Sequence, residues 1–587
     1  ALTTLSNVAI ADDEERGIEE IVVTAQKRDQ SSQDVGIAVA AISAKTMLEQ
    51  GITNGADLAK AIPNLSLQNI GGGGLPVVIV RGIGLQNFRI NDSPTTSFYV
   101  DEIYQTSIAS VEFSMYDMSR VEVLKGPQGG LYGRNTIGGA VQVISKAPEV
   151  GEDANGFISA GYGSYDRVSV EGGASYPLSD TMAVRLSGRY EKSGDQYTRS
   201  VVDGFNHGEI DKLAGRFQLR LTPSDSVDIL FKVHGGKDHS ETSLLRTVGL
   251  YQNYGGAGGF GAPNVSLALI YGLFGQPGML CDSITSGNGS DPSSCATLNG
   301  QTPESLGLTT GDEGRYDSAG VSMLPAIMSD WFGASAVANF DINDDFTLTS
   351  ITAYDKIDYN RTIDADATKA EFQDIEYSSK IKSYQQELRL AYDSNEKTNW
   401  LLGVNYAEDE LTENTVLYGA DGVLPLFFGG ATWSPQDYVQ KTKAFAAFGH
   451  GEWNVSDTVS LISELRYTNA KKTFAGGQQL GFADGTTAPF FTVADEISFN
   501  ALSGKVGINW QPNDDMLVYA NASRGFKTGG FFGGFATNPD ELTPFDKETI
   551  NAYEIGFKSD LADKTMRLNA SIFYYDRQDV QMNAADP

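Results

Sequence analysis

The sequence predicts a mainly β protein: a transmembrane antiparallel β-barrel preceded by a small α+β unit. Three observations carry this. From about residue 156 onward, apolar and polar side chains change places at every step, the period of a strand. The turns joining paired segments are short while the connections between pairs are long, the asymmetry of membrane barrels. No apolar run reaches the roughly 18 residues that a membrane helix needs, which excludes helical spans. Composition agrees, with 65 Gly, 26 Tyr and 29 Phe against 19 Pro and 5 Trp in 587 residues. Many short strands are implied, and Tyr and Phe supply the interfacial girdles of membrane barrels.

The first residues are the least regular. Ala9–Ala11 has the small-residue character of a secretory cleavage site, so residues 1–11 read as the remnant of a signal, against the alternative of a mature flexible tail. The acidic run from Asp12 to Glu20 favours a solvated tether. Ser43 to Gln50 and Gly55 to Ala61 predict short helices broken by Gly51 and Pro63. Short apolar strands follow at Val77–Val80, Ser97–Val100, Val121–Leu124 and Ala140–Ile144, completing a mixed unit over residues 31–150.

Residues 151–587 carry the barrel pattern. Val168, Val170 and Tyr176 alternate with Arg167, Ser169 and Ser175, and Val184, Leu186 and Tyr190 alternate with Arg185, Ser187 and Glu191. The unit recurs at Phe217–Leu221, Leu388–Tyr392, Trp400–Tyr406, Val459–Tyr467, Val506–Trp510, Tyr553–Phe557 and Met566–Ile572. Polar turns join the pairs at 177–180, 222–225, 341–345, 393–396, 454–457, 511–515 and 559–563. Long connections are expected at 192–212, 236–332, 355–384, 408–442, 469–500 and 523–550. A soluble sandwich also alternates, but its charged face would lie outside and its loops would not fall into two such unequal classes. One strand near 156–163 and seven turn-linked pairs give about fifteen strands, an odd number that leaves an edge, so the barrel is expected to lack C-terminal strands in this chain.

Charge and chemistry narrow the function. With 43 Lys and Arg against 75 Asp and Glu, the net charge of −32 excludes nucleic acid as a steered partner. No Gly-x-Ser-x-Gly or His-Glu-x-x-His occurs, and the only histidines are His207, His234, His239 and His450, so neither an enzyme nor a cofactor or resident metal is expected. His234 and His239 with Asp238 read as solvated loop residues, against the alternative of a metal site. The glycines from Gly126 to Gly139 lack the Gly-Lys-Ser/Thr ending of a phosphate loop and suit tight turns instead. Cys281 and Cys295, close together in a Gly/Ser/Asn-rich stretch, read as one loop disulfide in an oxidising compartment, against two unpaired thiols. Tyr251, Tyr254, Phe260, Tyr271 and Phe274 in the same segment could stack on a ligand or pack on one another.

Three blocks together resemble the TonB-dependent receptor family over the whole chain. Glu20, Ile21, Val22, Val23, Thr24 and Ala25 look like its TonB box, placing a tether at 12–30. Val80–Gly84, Tyr99–Tyr104 and Arg120–Ala140 are similar to its plug signature, and Arg524–Phe531 with Tyr553–Lys558 to a late-barrel pair of motifs. The resemblance implies an outer-membrane barrel of about 22 strands when complete, with the α+β unit plugging its lumen. It also implies uptake of a scarce ligand, most commonly a ferric siderophore, with carbohydrate and cobalamin as alternatives. A passive porin would need neither plug nor tether. The resemblance further implies a TonB-type periplasmic protein that supplies the work, to whose sheet edge Ile21–Val23 can add as a strand. Arg81, Arg120 and Arg134 of the plug are expected to pair with barrel carboxylates such as Glu387, Glu464 or Glu554, against the reading of ordinary solvated charges.

Overall fold

The computed structural model describes residues 18–582 except 70–75, 85–88, 108, 110–114, 195–197, 201–205, 243–316, 319–321, 325, 366–370, 372, 394–396, 421–423 and 426–427. The proposed signal remnant, both cysteines and the five loop aromatics Tyr251, Tyr254, Phe260, Tyr271 and Phe274 lie outside the described residues.

The N-terminal unit comprises β1 (Val22–Val23), β2 (Gln30–Ser31), β3 (Val39–Ser43), α1 (Ala44–Gln50), α2 (Gly55–Ala61), β4 (Leu65–Asn69), β5 (Pro76–Val80), β6 (Thr96–Val100), β7 (Ile103–Gln105), β8 (Met118–Lys125) and β9 (Gly139–Ser145). Both predicted helices form, each with the cap its sequence provides. Ser43 Oγ accepts from the Thr46 amide and Gly51 closes α1 with a left-handed φ of 64°, while Asn54 caps α2 by accepting from the Asp57 amide. Five strands form one mixed sheet in the order β3-β8-β9-β6-β7, with β6 and β9 parallel. Its core is β-branched: Val121, Val123, Val141 and Val143 are fully buried and pack on Met47, Leu58 and Phe98.

The rest of the chain is β structure: β10 (Asn155–Gly163), β11 (Arg167–Ser179), β12 (Met182–Lys192), β13 (Thr198–Ser200), β14 (Asn206–His207), β15 (Asp211–Ser224), β16 (Val227–Asp238), β17 (Asp317–Ser318), β18 (Ile327–Asn343), β19 (Phe346–Asp364), β20 (Asp374–Asp393), β21 (Thr398–Tyr418), β22 (Ala431–Ser456), β23 (Val459–Phe482), β24 (Thr487–Asn513), β25 (Met516–Lys527), β26 (Glu548–Leu561) and β27 (Met566–Gln578). Leaving aside β13, β14 and β17, which form a small separate sheet, fifteen of these build one antiparallel sheet in chain order from β10 to β27. No described helix is long and apolar enough to cross a membrane.

The sheet is inside out relative to a soluble protein. Leu186 is 65% exposed and Leu465 60%, whereas their neighbours Arg185 and Glu464 are 1% and 4% exposed. The apolar face turns outward to lipid and the charged face inward onto the plug, as the alternation predicts.

The predicted long connections need correction. Strands continue through 355–364, 374–384, 408–418, 431–442, 469–482 and 487–500, so the segments that join β19 to β20, β21 to β22 and β23 to β24 are far shorter than expected. The reason lies on the outer face. Above Leu402 and Val404 it changes from apolar to charged, with cross-strand pairs Lys441–Glu410 at 2.8 Å, Lys443–Glu408 at 3.3 Å and Lys471–Glu496 at 2.7 Å. There both faces are wet, so backbone pairing persists while hydrophobic alternation, the signal read from sequence, disappears.

Candidate functional site

Residues 20–25, expected from sequence to be a TonB box, do not extend freely. Val22–Val23 pairs antiparallel with Gln30–Ser31, and Ser32 N donates to Ile21 O at 2.9 Å. Val23 is fully buried and Ala25 nearly so, in a cluster with Tyr99, Tyr132 and the wall residues Leu401 and Phe448. Thr24 is the polar anchor: its amide donates to Glu122 Oε1 at 2.9 Å, and its hydroxyl accepts from Gln142 Nε2 at 2.6 Å. Burial pushes the Glu122 carboxyl up, against the pull of the Thr24 amide and Arg120. Lys27 follows with a left-handed φ of 61°, its ammonium over the Tyr132 ring and 3.3 Å from Glu102. The expected solvated tether is thus, over residues 20–28, a docked segment, because its short apolar run finds a ready pocket on the plug.

Arg81 meets Glu554, one of the three carboxylates named from sequence, at 2.5 Å, also donates to Tyr575 and Ser571, and stacks on Phe573. Arg134 reaches the wall too, but its partner is Asp409 at 2.5 Å. Arg120 stays within the plug, donating to Glu122 at 2.8 Å, since β8 carries both residues on one face. Glu387 and Glu464 lie on the inner wall but pair there, with Arg389 at 3.5 Å and Lys505 at 3.0 Å. Glu464 instead marks a close approach: a Cβ at Gly130 would stand 2.3 Å from its Oε2.

Sequence reading missed the reverse polarity, plug acid to wall cation. The two-residue turn between β6 and β7 places Asp101 and Glu102 at φ of 50° and 67°, a backbone unusual outside glycine. It presents Asp101 to Lys232 at 2.8 Å and Glu102 to Arg389 at 2.6 Å. Burial alone would raise both carboxyls; Lys232 and Arg216 bring Asp101 down to about 2, and Arg389 and Lys27 bring Glu102 down to about 2. Asp117 takes two hydrogen bonds from Arg185, at 2.6 and 2.8 Å. The signal existed within the Tyr99–Tyr104 block, where adjacent acids sit between two apolar runs.

Above the plug, Arg89 and Ile90 face a small cavity walled by Arg361, Glu413, Tyr377 and Tyr438. Arg361 stacks on Tyr377 at 4.7 Å, yet Arg361 Nε and Glu413 Oε2 are buried without a hydrogen-bond partner among the described residues. His234 and His239 each approach a separate carboxylate, Asp355 and Asp330, and no group of three metal-ligating residues occurs among the described residues.

An outward-apolar sheet around an ion-paired plug, with an N-terminal segment docked on the plug, defines a plugged outer-membrane β-barrel. The model of the TonB dependent receptor-like β-barrel matches residues 282–587, more than half the chain, and that of the TonB-dependent receptor plug domain matches residues 31–140. This chain belongs to the TonB-dependent receptor family. It is 22% identical to the pesticin receptor of Yersinia pestis over 568 residues, 96% of this chain and 71% of that protein. It is 23% identical to the catecholate siderophore receptor Fiu of Escherichia coli K12, over 92% of this chain and 69% of that one. The crystal structure of the ferric yersiniabactin uptake receptor FyuA from Yersinia pestis superposes with a TM-score of 0.72 at 18% identity, covering 93% of this chain and 73% of that chain.

Proposed function

We propose that this receptor imports a ferric siderophore or similar iron chelate, using work delivered by a TonB-type periplasmic protein that takes hold of residues 20–25. The observation that carries the ligand reading is the upper cavity. Arg361 Nε and Glu413 Oε2, buried without partners among the described residues beside Arg89 and two tyrosines, leave hydrogen-bonding capacity at the outer end of the plug that an incoming ligand can take up once the side chains closing this water-sized cavity part. Cations and aromatic faces suit an anionic, aryl-bearing chelate, which binds whole and asks the protein for no metal ligands. The names of the siderophore receptors among the relatives support the same class.

The box reading rests on Val22–Val23, already an extended strand on a two-stranded edge and so able to exchange its present partner, Gln30–Ser31, for another. Binding of ferric aryl chelates to the purified receptor, followed by fluorescence quenching, tests the ligand assignment. Arg361→Ala should weaken binding about tenfold, as expected for one lost charge-assisted contact. Undiminished affinity in the variant, or a receptor that rises on a polysaccharide and stays flat under iron starvation, contradicts the iron reading.

A further inference from the structure

The register of β20 to β23 stacks three cavities in one column on the inner wall. At the top, Ser379, Glu413 and Tyr438 align across β20, β21 and β22 and line the upper cavity. Below them, Ile381, Leu411 and Gln440 align, followed by Asp409, Thr442 and Lys472, all lining a middle cavity. Lower again, Ala407 and Ala444, then Asn405, Ala446 and Thr468, line a third. Further down, Phe448 opposite Gly403 and Leu401 opposite His450 share one hydrophobic cluster with Val23 and Ala25 of the docked segment. From Glu413 to Asn405 the column descends about 26 Å at roughly 3.3 Å per residue.

Plug side chains stand at both divisions of the column, beside plug carbonyls of Asn91 and Tyr104 that accept from Gln440 and Gln385 of the wall. Ile90 lines both the upper and middle cavities, and Tyr104 and Arg134 line both the middle and lower ones. The cavities measure about 10, 50 and 40 Å³ from top to bottom, room for one to a few waters and for nothing larger. The space comes from short wall residues, Ala407, Ala444 and Ala446, at a level where Arg and Lys are common elsewhere on the inner face.

The partition is also the weaker kind of ion pair. Arg134 gives Asp409 one hydrogen bond, and the other carboxylate oxygen, Oδ1, is buried without a partner among the described residues. On the opposite flank, Asp117 is gripped by Arg185 through both oxygens and by Arg216 through its carbonyl at 2.7 Å. We infer that passage through this receptor follows the wall of β20 to β23, and that the Arg134–Asp409 pair is the gate between the outer-facing and box-facing halves of that route. The flank at β12 and β15 stays fastened.

This rests on the uptake reading only for the direction of travel; the test needs neither ligand nor energy supply, so the two fail separately. In the full chain with Cys281 and Cys295 changed to Ser, Ala446→Cys places a thiol in the lower cavity. Its labelling by small membrane-impermeant methanethiosulfonates, one cationic and one anionic, is timed from outside de-energised cells. Adding Arg134→Ala should speed both reagents about tenfold or more, the cost of one lost charge-assisted bond. Arg134→Lys should restore slow labelling, and Arg185→Ala should leave it slow. Should Arg134→Ala not assemble, judged by heat-dependent gel migration, Asp409→Asn breaks the same pair. No acceleration, acceleration of the cationic reagent alone, or equal acceleration by Arg185→Ala overturns the inference.

Discussion

Asp101 and Glu102 tie the plug to the wall through carboxyls held near 2, below their ordinary values of 3.8 and 4.5. A carboxyl depressed in the folded state binds fewer protons there than when unfolded. Its contribution is therefore complete above about pH 4.5 and is lost as pH falls toward 2, roughly 2–3 kcal/mol for each group. Plug unfolding followed by hydrogen exchange should show that acid loss, and Asp101→Asn with Glu102→Gln should flatten it. Arg81 is a second residue-scale test. Its guanidinium and Glu554 are both nearly buried, so Arg81→Ala strands a carboxylate at a cost of about 3–5 kcal/mol in local stability. Faster exchange in β5 would register it, while unchanged protection would return Arg81 to an ordinary lumen charge. The cysteine pairing belongs here too: mass mapping without reductant should find Cys281 joined to Cys295, and two free thiols would refute it.

At the scale of elements, the docked box makes the sharpest claims. Thr24→Val removes the hydroxyl that accepts from Gln142 while keeping shape, so the segment should leave its pocket more often and limited proteolysis before residue 30 should quicken severalfold. Val22→Pro should abolish uptake with ligand binding intact, because proline cannot supply a strand's backbone donor to the partner; undiminished uptake by a well-expressed variant contradicts the assignment. What was legible in sequence divides along the same physical lines. Helices α1 and α2 were legible because Ser43, Gly51 and Pro63 mark their ends, and the lower barrel strands because lipid on one face and lumen on the other enforce alternation. The upper strands escaped notice where both faces meet water, and the docking of Val22–Val23 because its partner, Gln30–Ser31, has no apolar signature. The site was half legible: Arg81, Arg134 and Glu554 stood among the charges that sequence singles out, whereas which of them meet, and that Asp409 is the partner of Arg134, required the register of the strands.

At the scale of the whole molecule, the parts form one argument. The sheet turns its apolar face to lipid, its charged interior grips a plug, and the box lies under the same wall that carries the stacked cavities. The three stacked cavities have room for water and nothing larger, and on the proposed reading the docked residues 20–25 are the handle through which force arrives to widen them. The most direct measurement is uptake of radioactive iron presented as a ferric aryl chelate, in cells producing this receptor with and without the TonB-type partner. The account predicts accumulation only when the partner is present, with surface binding of the chelate unchanged by its absence. Equal accumulation in both strains, or none with a chelate that binds, would contradict it.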